Sequence, residues 1–271
     1  MKLISKIPVF ILVLSSIFIW GSSKEKVFSQ LEEKIELGET SKNFEAMIRG
    51  HATKLLGNFN SLNDPHGRKK RALTKMTSER AENQYYLDYK NLLLENFSEE
   101  EIAALVSVHE SEIFLKLKAR GEFLKTDEGK SFSVGENKKK INSIYRDHSI
   151  SRKKRELDEL FTKATRVVKN YKKTIDQTQK MTIALIAQLM SSHPFQFLGV
   201  KIELDKSFAK ARVAGEKNIN KATAIRLLSF SLEEKKALVD LYTRPVVKKM
   251  IKLRDNFLLE NMKAYFDCAL S

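Results

Sequence analysis

Apolar side chains recur at steps of three and four residues along most of this chain, which is the spacing of one face of an α-helix. The clearest stretch covers residues 151–190, where the apolar face includes Leu157, Phe161 and Leu185. An unbroken helix of this length would reach roughly 60 Å, so we expect either one kinked amphipathic helix or two helices in series. Shorter faces of the same kind predict further helices at 44–55 and 250–269.

Helix-breaking residues are sparse, and the only prolines after the first 23 positions are Pro65, Pro194 and Pro245. Long segments without proline or glycine suit helices and seldom occur in folds of many strands. We interpret the short alternation at 200–204 as a connecting segment rather than a strand. The apolar run at 183–190 is too short to cross a membrane and is interpreted as buried core. The predicted fold class is therefore all-α, built of helical hairpins.

The domain organisation follows from where the apolar period is lost. Residues 121–150 have no such period and carry many charged side chains, so we interpret them as a basic linker or loop. After a signal segment at 1–23, this linker separates an N-terminal helical half at 24–120 from a C-terminal helical half at 151–271.

A weak internal repeat is predicted to relate the two halves at an offset of 133 residues, because residues 97–106 share seven identities with residues 230–239. In each copy a serine, Ser98 or Ser231, is followed three residues later by glutamate, which is the pattern of a capping box. Both copies are therefore predicted to begin a helix at the same place. A hydrophobic staple is expected in the first copy only, because the second copy has Lys235 at the required apolar position.

After the second copy the chain makes a predicted turn in which Pro245 opens the next helix, so a helical hairpin is expected. The residues that carry a family resemblance here are Phe230, Ser231, Glu234, Leu241, Tyr242, Pro245, Lys248 and Lys249. With them, residues 226–265 resemble the bacterial exported family known as domain of unknown function 2059, and residues 93–118 resemble it more weakly. Val247 departs from the glycine that the family usually has there. The resemblance implies a small helical protein, secreted or periplasmic, and implies no activity.

The first 23 residues have the three-part layout of a secretory signal, in which Lys2 and Lys6 precede an apolar run at 7–20 and small residues follow. The run is short for a membrane span, so we expect a cleavable signal and a mature chain that begins near Lys24. A signal retained as a membrane anchor is the alternative. The predicted location is periplasmic or extracellular.

The chain is strongly cationic, with 49 Lys and Arg against 34 Asp and Glu. For an exported protein this charge indicates an anionic envelope polymer or lipid, or another envelope protein, as the partner, rather than nucleic acid. A solvated basic surface with no partner is the alternative interpretation. The candidate anionic-surface residues form three clusters: Arg68, Lys69, Lys70 and Arg71; Lys138, Lys139 and Lys140; Arg152, Lys153, Lys154 and Arg155.

Patterns that carry catalytic or metal chemistry are scarce. The five histidines show no helical metal spacing, and the chain has no phosphate-binding glycine loop, so we predict no metal site, no cofactor and no catalytic residue. The sequence favours a non-catalytic helical interaction protein of the cell envelope, with a homodimer through the 151–190 face as a further expectation. The enzymatic alternative is a peptidoglycan-cleaving enzyme that uses Glu110 as general acid, because Glu110-Ser111 on a helix resembles the start of the lytic transglycosylase pattern.

Overall fold

The described part of the chain is helical throughout its regular secondary structure, which confirms the all-α class. The computed structural model describes residues 23–43, 46, 84–129, 152–191 and 193–270. No helix within these residues has both the length and the apolarity needed to cross a membrane. The chain divides into two units, the first formed by Met1–Phe44 with Arg80–Ser111, the second by Glu45–Glu79 with Glu112–Ser271.

The described helices of the first unit are α1 (23–34), α2 (37–43), α3 (Gln84–Asn96) and α4 (Glu99–Glu110). The longer described helices of the second unit are α5 (Glu112–Phe123), α6 (Arg152–Ala164), α7 (Val167–Leu189), α8 (Pro194–Arg226), α9 (Leu232–Thr243) and α10 (Pro245–Leu270), and residues 127–129 are also helical.

The first unit buries aromatic and aliphatic side chains from all four of its described helices, among them Phe28, Leu31, Leu37, Tyr85, Tyr89, Leu93 and Leu105. Polar links join α1 to α3, and one of them is the ion pair between Lys90 and Glu32 at 3.6 Å. Lys24 Nζ donates to the backbone oxygen of Leu94 at 2.5 Å, and the Tyr86 hydroxyl donates to Glu32. The hydrogen bond to Glu32 raises the pKa of Tyr86 above its ordinary value. Apolar burial and these links together hold α1 against α3.

The second unit has a buried cluster formed by Leu117, Phe161, Leu227, Phe230 and Leu238. Tyr242 packs edge-on against Phe161, with ring centroids 5.1 Å apart and an interplanar angle of 76°, a geometry that adds to the gain from burial. One core therefore contains residues from α5, α6 and α9 and from the turn after α8.

Residues 151–190 form two helices in series, which is one of the two predicted arrangements. The break lies at Thr165 and Arg166, where Arg166 has a positive φ of 56°. The backbone N–H of Arg166 donates to Lys163 at 3.1 Å and thereby closes α6, and Asn170 N–H donates to the Arg166 oxygen at 2.9 Å and opens α7. A left-handed residue ends a helix in this way, although glycine is the usual residue there.

Both predicted capping boxes are confirmed. Ser98 Oγ accepts from Glu101 N at 3.2 Å, Ser231 Oγ accepts from Glu234 N at 3.2 Å, and each glutamate accepts from the backbone N–H of its serine. The two capped helices, α4 and α9, each end at a single extended residue, Ser111 or Arg244. Matching caps are local properties of the two segments, so the internal repeat stays a prediction.

Three boundaries differ from the predictions. Residues 200–204 lie inside α8 and form no connecting segment, because the helix opened by Pro194 continues through them. Helix α5 belongs to the second unit rather than to an N-terminal half at 24–120, because its Leu117 is buried in the core of the second unit. Residues 121–123 of the predicted linker are part of α5, and residues 130–150 lie outside the described part of the chain.

A buried ion pair joins α6 to α9. Lys235 Nζ lies 2.5 Å from Asp158 Oδ1, and the two side chains are 2% and 8% exposed. Burial raises the pKa of Asp158 above its ordinary value, and the hydrogen bond from Lys235 opposes that shift. For buried pairs of this kind, the cost of removing both charges from water offsets much of their attraction. Each charge depends on the other to remain in the interior.

We predict that Lys235→Met lowers the free energy of unfolding of the second unit by about 3–5 kcal/mol, because it leaves the Asp158 carboxylate buried without its cation. The double change Asp158→Leu with Lys235→Met removes both charges and is expected to recover most of this loss. Chemical unfolding followed by circular dichroism measures both. Lys206→Met is the control, since it breaks an exposed pair with Glu203 and should change stability by less than about 1 kcal/mol. A double variant as unstable as the single one would contradict the argument.

The cost of Lys235→Met is also predicted to depend on pH. Without its cation, Asp158 has a folded-state pKa further above the unfolded value of about 3.9. Below about pH 3.9 the carboxyl is protonated in both states and its burial is not penalised. As the pH rises through the folded pKa, the carboxyl ionises and the folded state loses stability relative to the unfolded state. The difference in free energy of unfolding between wild type and Lys235→Met should therefore shrink on acidification. Unfolding curves measured from neutral pH downward test this, and a difference that stays constant would contradict it.

Helices α7 and α8 form an antiparallel hairpin. Lys172 pairs with Glu216 at 2.7 Å, and Gln179 donates to Asp205 at 2.6 Å, so residues further along α7 face residues earlier in α8. Gly215 brings the α8 backbone close to α7, because a Cβ at this position would overlap the ring of Tyr171. The Tyr171 hydroxyl donates to the backbone oxygen of Ala211 at 2.9 Å. This glycine is therefore needed for packing although it lies inside a helix.

We predict that Gly215→Ala destabilises the second unit by about 1–3 kcal/mol through overpacking against Tyr171. Gly199→Ala in the same helix is the matched control, because a Cβ at Gly199 has no neighbour within 4 Å. That change should stabilise by roughly 0.5–1 kcal/mol, the helix preference of alanine over glycine. Thermal unfolding of the two variants beside wild type shows whether each change raises or lowers stability. A change in the same direction for both variants would contradict the packing argument.

Candidate anion-binding site

The second unit has a groove of about 660 Å³ where α6, α7 and α8 meet. Its charged walls carry more basic than acidic side chains. The basic residues are Arg155, Lys163, Arg166, Lys169, Lys172 and Lys173, and the acidic residues are Asp158, Glu159, Asp176 and Glu216. We call this surface the basic groove.

Three of the four acids in the basic groove are already neutralised. Asp158 pairs with Lys235 at 2.5 Å, Asp176 with Arg212 at 2.7 Å, and Glu216 with Lys172 at 2.7 Å. Two of these cations, Lys235 and Arg212, are not among the residues that line the groove. The surrounding structure therefore removes the negative charge from the groove.

Most of the cations in the groove have no acidic partner among the described residues. These cations are Arg155, Lys163, Arg166, Lys169 and Lys173. Among the acids of the groove, Glu159 alone has no ion-pair partner within the described residues. The Nε of Arg166 is buried and has no hydrogen-bond partner. An anion that enters the groove therefore meets several cations whose charge is not balanced within the described structure.

The predicted basic clusters contribute only in part. Arg155 lines the basic groove, while Arg152 is exposed and pairs with Glu156 at 3.0 Å, and Lys153 is exposed. Lys154 is partly buried, and its charge acts on Asp158. The other two clusters, at 68–71 and 138–140, lie outside the described residues.

Sequence reasoning missed the remaining groove residues because they are not consecutive. Lys169 and Lys173 are four residues apart and therefore share one face of α7, and Arg166 lies in the turn just before that helix. That periodic pattern of basic residues was the available signal. The neutralising partners Lys235 and Arg212 are far away in the chain, and only the tertiary structure brings them to Asp158 and Asp176.

A second cavity of about 850 Å³ in the same unit has aromatic and aliphatic walls that include Phe161, Tyr171, Tyr242 and Ile251. Burial raises the pKa of Tyr242, and nearby Arg226 and Arg254 oppose this shift. The arginines here have local partners: Arg226 donates to the Leu117 oxygen at 3.3 Å, and Arg254 donates to Asp255 at 3.2 Å. This cavity therefore has less unbalanced charge than the basic groove.

The residues that carry the family resemblance build the fold around this core. Phe230 and Leu241 are buried, Ser231 and Glu234 cap α9, and Pro245 opens α10. Glu234 also pairs with Lys116 at 2.5 Å, and that hydrogen bond lowers the pKa of Glu234. Tyr242 packs on Phe161, while Lys248 and Lys249 are exposed. Their arrangement suits a structural role.

Glu110 lies at the end of α4, where its side chain is 54% exposed and pairs with Lys34 at 3.2 Å. It lines neither the basic groove nor the second cavity. A general acid of a glycoside-cleaving enzyme works best in an apolar setting, whereas the Glu110 side chain is more than half exposed. Within the described residues, no cluster of His, Cys, Asp and Glu is arranged to hold a metal ion.

No protein-family model, no curated protein and no solved structure matches this chain. The resemblance to domain of unknown function 2059 therefore stays a prediction that depends on the hairpin residues alone.

Proposed function

We propose that this chain is a non-catalytic protein of the cell envelope that binds an anionic polymer through the basic groove of its second unit. The observation that carries the proposal is the charge balance of that groove, where five cations and one acid have no ion-pair partner among the described residues. The secretory layout of residues 1–23 supports an envelope location, periplasmic or extracellular.

A polymer fits the spacing of the charges better than a small anion does. On α6, Arg155 and Lys163 are separated by about 12 Å of helix. A single phosphate or carboxylate cannot contact cations this far apart. A chain with repeated negative groups can place one group near each of them.

The expected affinity for an anionic polymer, and its dependence on salt, follow from the same charges. A basic side chain close to an anionic surface contributes about 1 kcal/mol, and the attraction decays within a Debye length of about 8 Å at physiological salt. Three to five such residues give useful affinity at low ionic strength. Binding that survives physiological salt would require the closer contacts that a groove provides and an open surface does not.

We predict that replacing Lys163, Lys169 and Lys173 together by glutamate weakens binding to sodium polyphosphate by at least about a hundredfold, since three favourable charges are reversed. The control variant replaces Lys210, Lys236 and Lys252 by glutamate; these lysines are exposed, and none of them lines the groove. Both variants have the same net charge, so only the position of the charge differs. Titration at low and physiological salt measures the affinities.

Cosedimentation with purified cell-wall sacculi tests the envelope part of the proposal with the same pair of variants. The expected result is salt-resistant binding of wild type and of the control, and loss of binding by the groove variant. An equal loss in both variants would reduce the positive charge to a general surface property and would contradict a groove-specific role.

A further inference from the structure

The end of the α7–α8 hairpin differs in composition from the rest of the chain. Between Lys180 and Lys201 there is no Asp, Glu, Lys or Arg, although charged residues make up 31% of the chain. We call residues 181–200 the apolar tip. It contains the end of α7, the turn, and the first two turns of α8.

The apolar tip exposes large hydrophobic side chains on its α8 side. Phe195 is 88% exposed and Leu198 is 54% exposed, whereas Leu185, Ile186 and Met190 on the α7 side are buried. Ile202, one turn beyond Leu198, is also 54% exposed. The exposed apolar surface therefore begins at the very end of the hairpin, at the first residues of α8.

A polar network marks the base of this tip. Gln179 donates to Asp205 at 2.6 Å, Lys201 pairs with Asp205 at 3.1 Å, and Arg212 pairs with Asp176 at 2.7 Å. Pro194 precedes Lys201 by about 10 Å of helix. The hairpin is thus charged along its shaft and uncharged at its end, with Lys180 and Lys201 the first charges on the two arms.

We propose that the apolar tip inserts into the interfacial layer of a lipid bilayer that contains anionic lipids. On the α8 arm the uncharged end is about 10 Å long, which matches the depth of about 5–10 Å to which apolar faces of interfacial helices penetrate. At that depth Lys201 lies at the level of the head groups, and Lys180, about 15 Å from the end of α7, lies about 5 Å further out, where a long basic side chain still extends toward phosphate and attracts anionic lipid. This proposal does not depend on polymer binding by the basic groove.

The charges and the area favour a bilayer over a second copy of the chain. A stable protein interface buries roughly 800 Å² on each partner. Among the side chains whose burial is described, the tip exposes Phe195 and Leu198, and Ile202 lies just beyond it. Lys201 is balanced by Asp205, and Lys180 has no ion-pair partner among the described residues, so the tip offers a second copy no opposite charge to attract it. An anionic bilayer has the opposite charge and no minimum interface area.

A tryptophan placed at the tip tests insertion directly. Trp20 is the only tryptophan of the chain, so Phe195→Trp in full-length protein that also carries Trp20→Phe reports from the tip alone. Mixed vesicles of phosphatidylcholine and phosphatidylglycerol should shift its emission to shorter wavelength, and phosphatidylcholine vesicles should shift it less. Val213→Trp in the same background is the matched control, because Val213 is 73% exposed on the shaft of the same helix. Its emission should not shift.

Three outcomes would overturn the proposal: no shift at position 195 with mixed vesicles, an equal shift at position 213, or a shift at 195 that grows with protein concentration without vesicles. The last would identify a second copy as the occupant. Phe195→Ser with Leu198→Ser should weaken vesicle binding by at least about tenfold, since each side chain loses its burial. The same double variant should bind polyphosphate as wild type does, so failure of this proposal and failure of the polymer proposal are separately visible.

Discussion

The buried contact between Lys235 and Asp158 is the constraint on which the second unit depends. It joins α9 to α6 beside the core formed by Phe161, Phe230 and Leu238. A lysine at this position of an amphipathic helix is tolerated only if an acid meets it in the interior, because an unpaired buried charge costs several kcal/mol. The pair therefore constrains which face of α6 can meet α9.

The same contact shapes the basic groove. Asp158 lines the groove, and Lys235 cancels its charge from the side of the core, as Arg212 does for Asp176. The groove becomes cationic because its acids are satisfied, and not only because basic residues are numerous. A count of charges along α6 and α7 alone would underestimate its preference for anions.

Helix α7 separates the two proposed surfaces along its length. Its first turns carry the basic groove, its middle carries the network around Gln179, and its end belongs to the apolar tip. The surfaces do not overlap, and each has its own physical basis, charge in one and apolar exposure in the other. Gly215 permits the close packing of α7 on α8 that both surfaces require.

The sequence by itself determined the local structure. Capping serines, helical periodicity and the sparse prolines predict the all-α class and the starts of α4, α9 and α10. They also predict two helices within 151–190 as one of two arrangements. All of these features depend on residues within a few positions of one another. Only the tertiary structure decided that Lys235, which stands where a staple would need an apolar residue, is buried against Asp158. It also decided that α5 packs in the second unit, and that Phe195 at the start of α8 stays exposed while Leu185 near the end of α7 is buried. Contacts between distant residues control charge balance and exposure, and no local pattern encodes them.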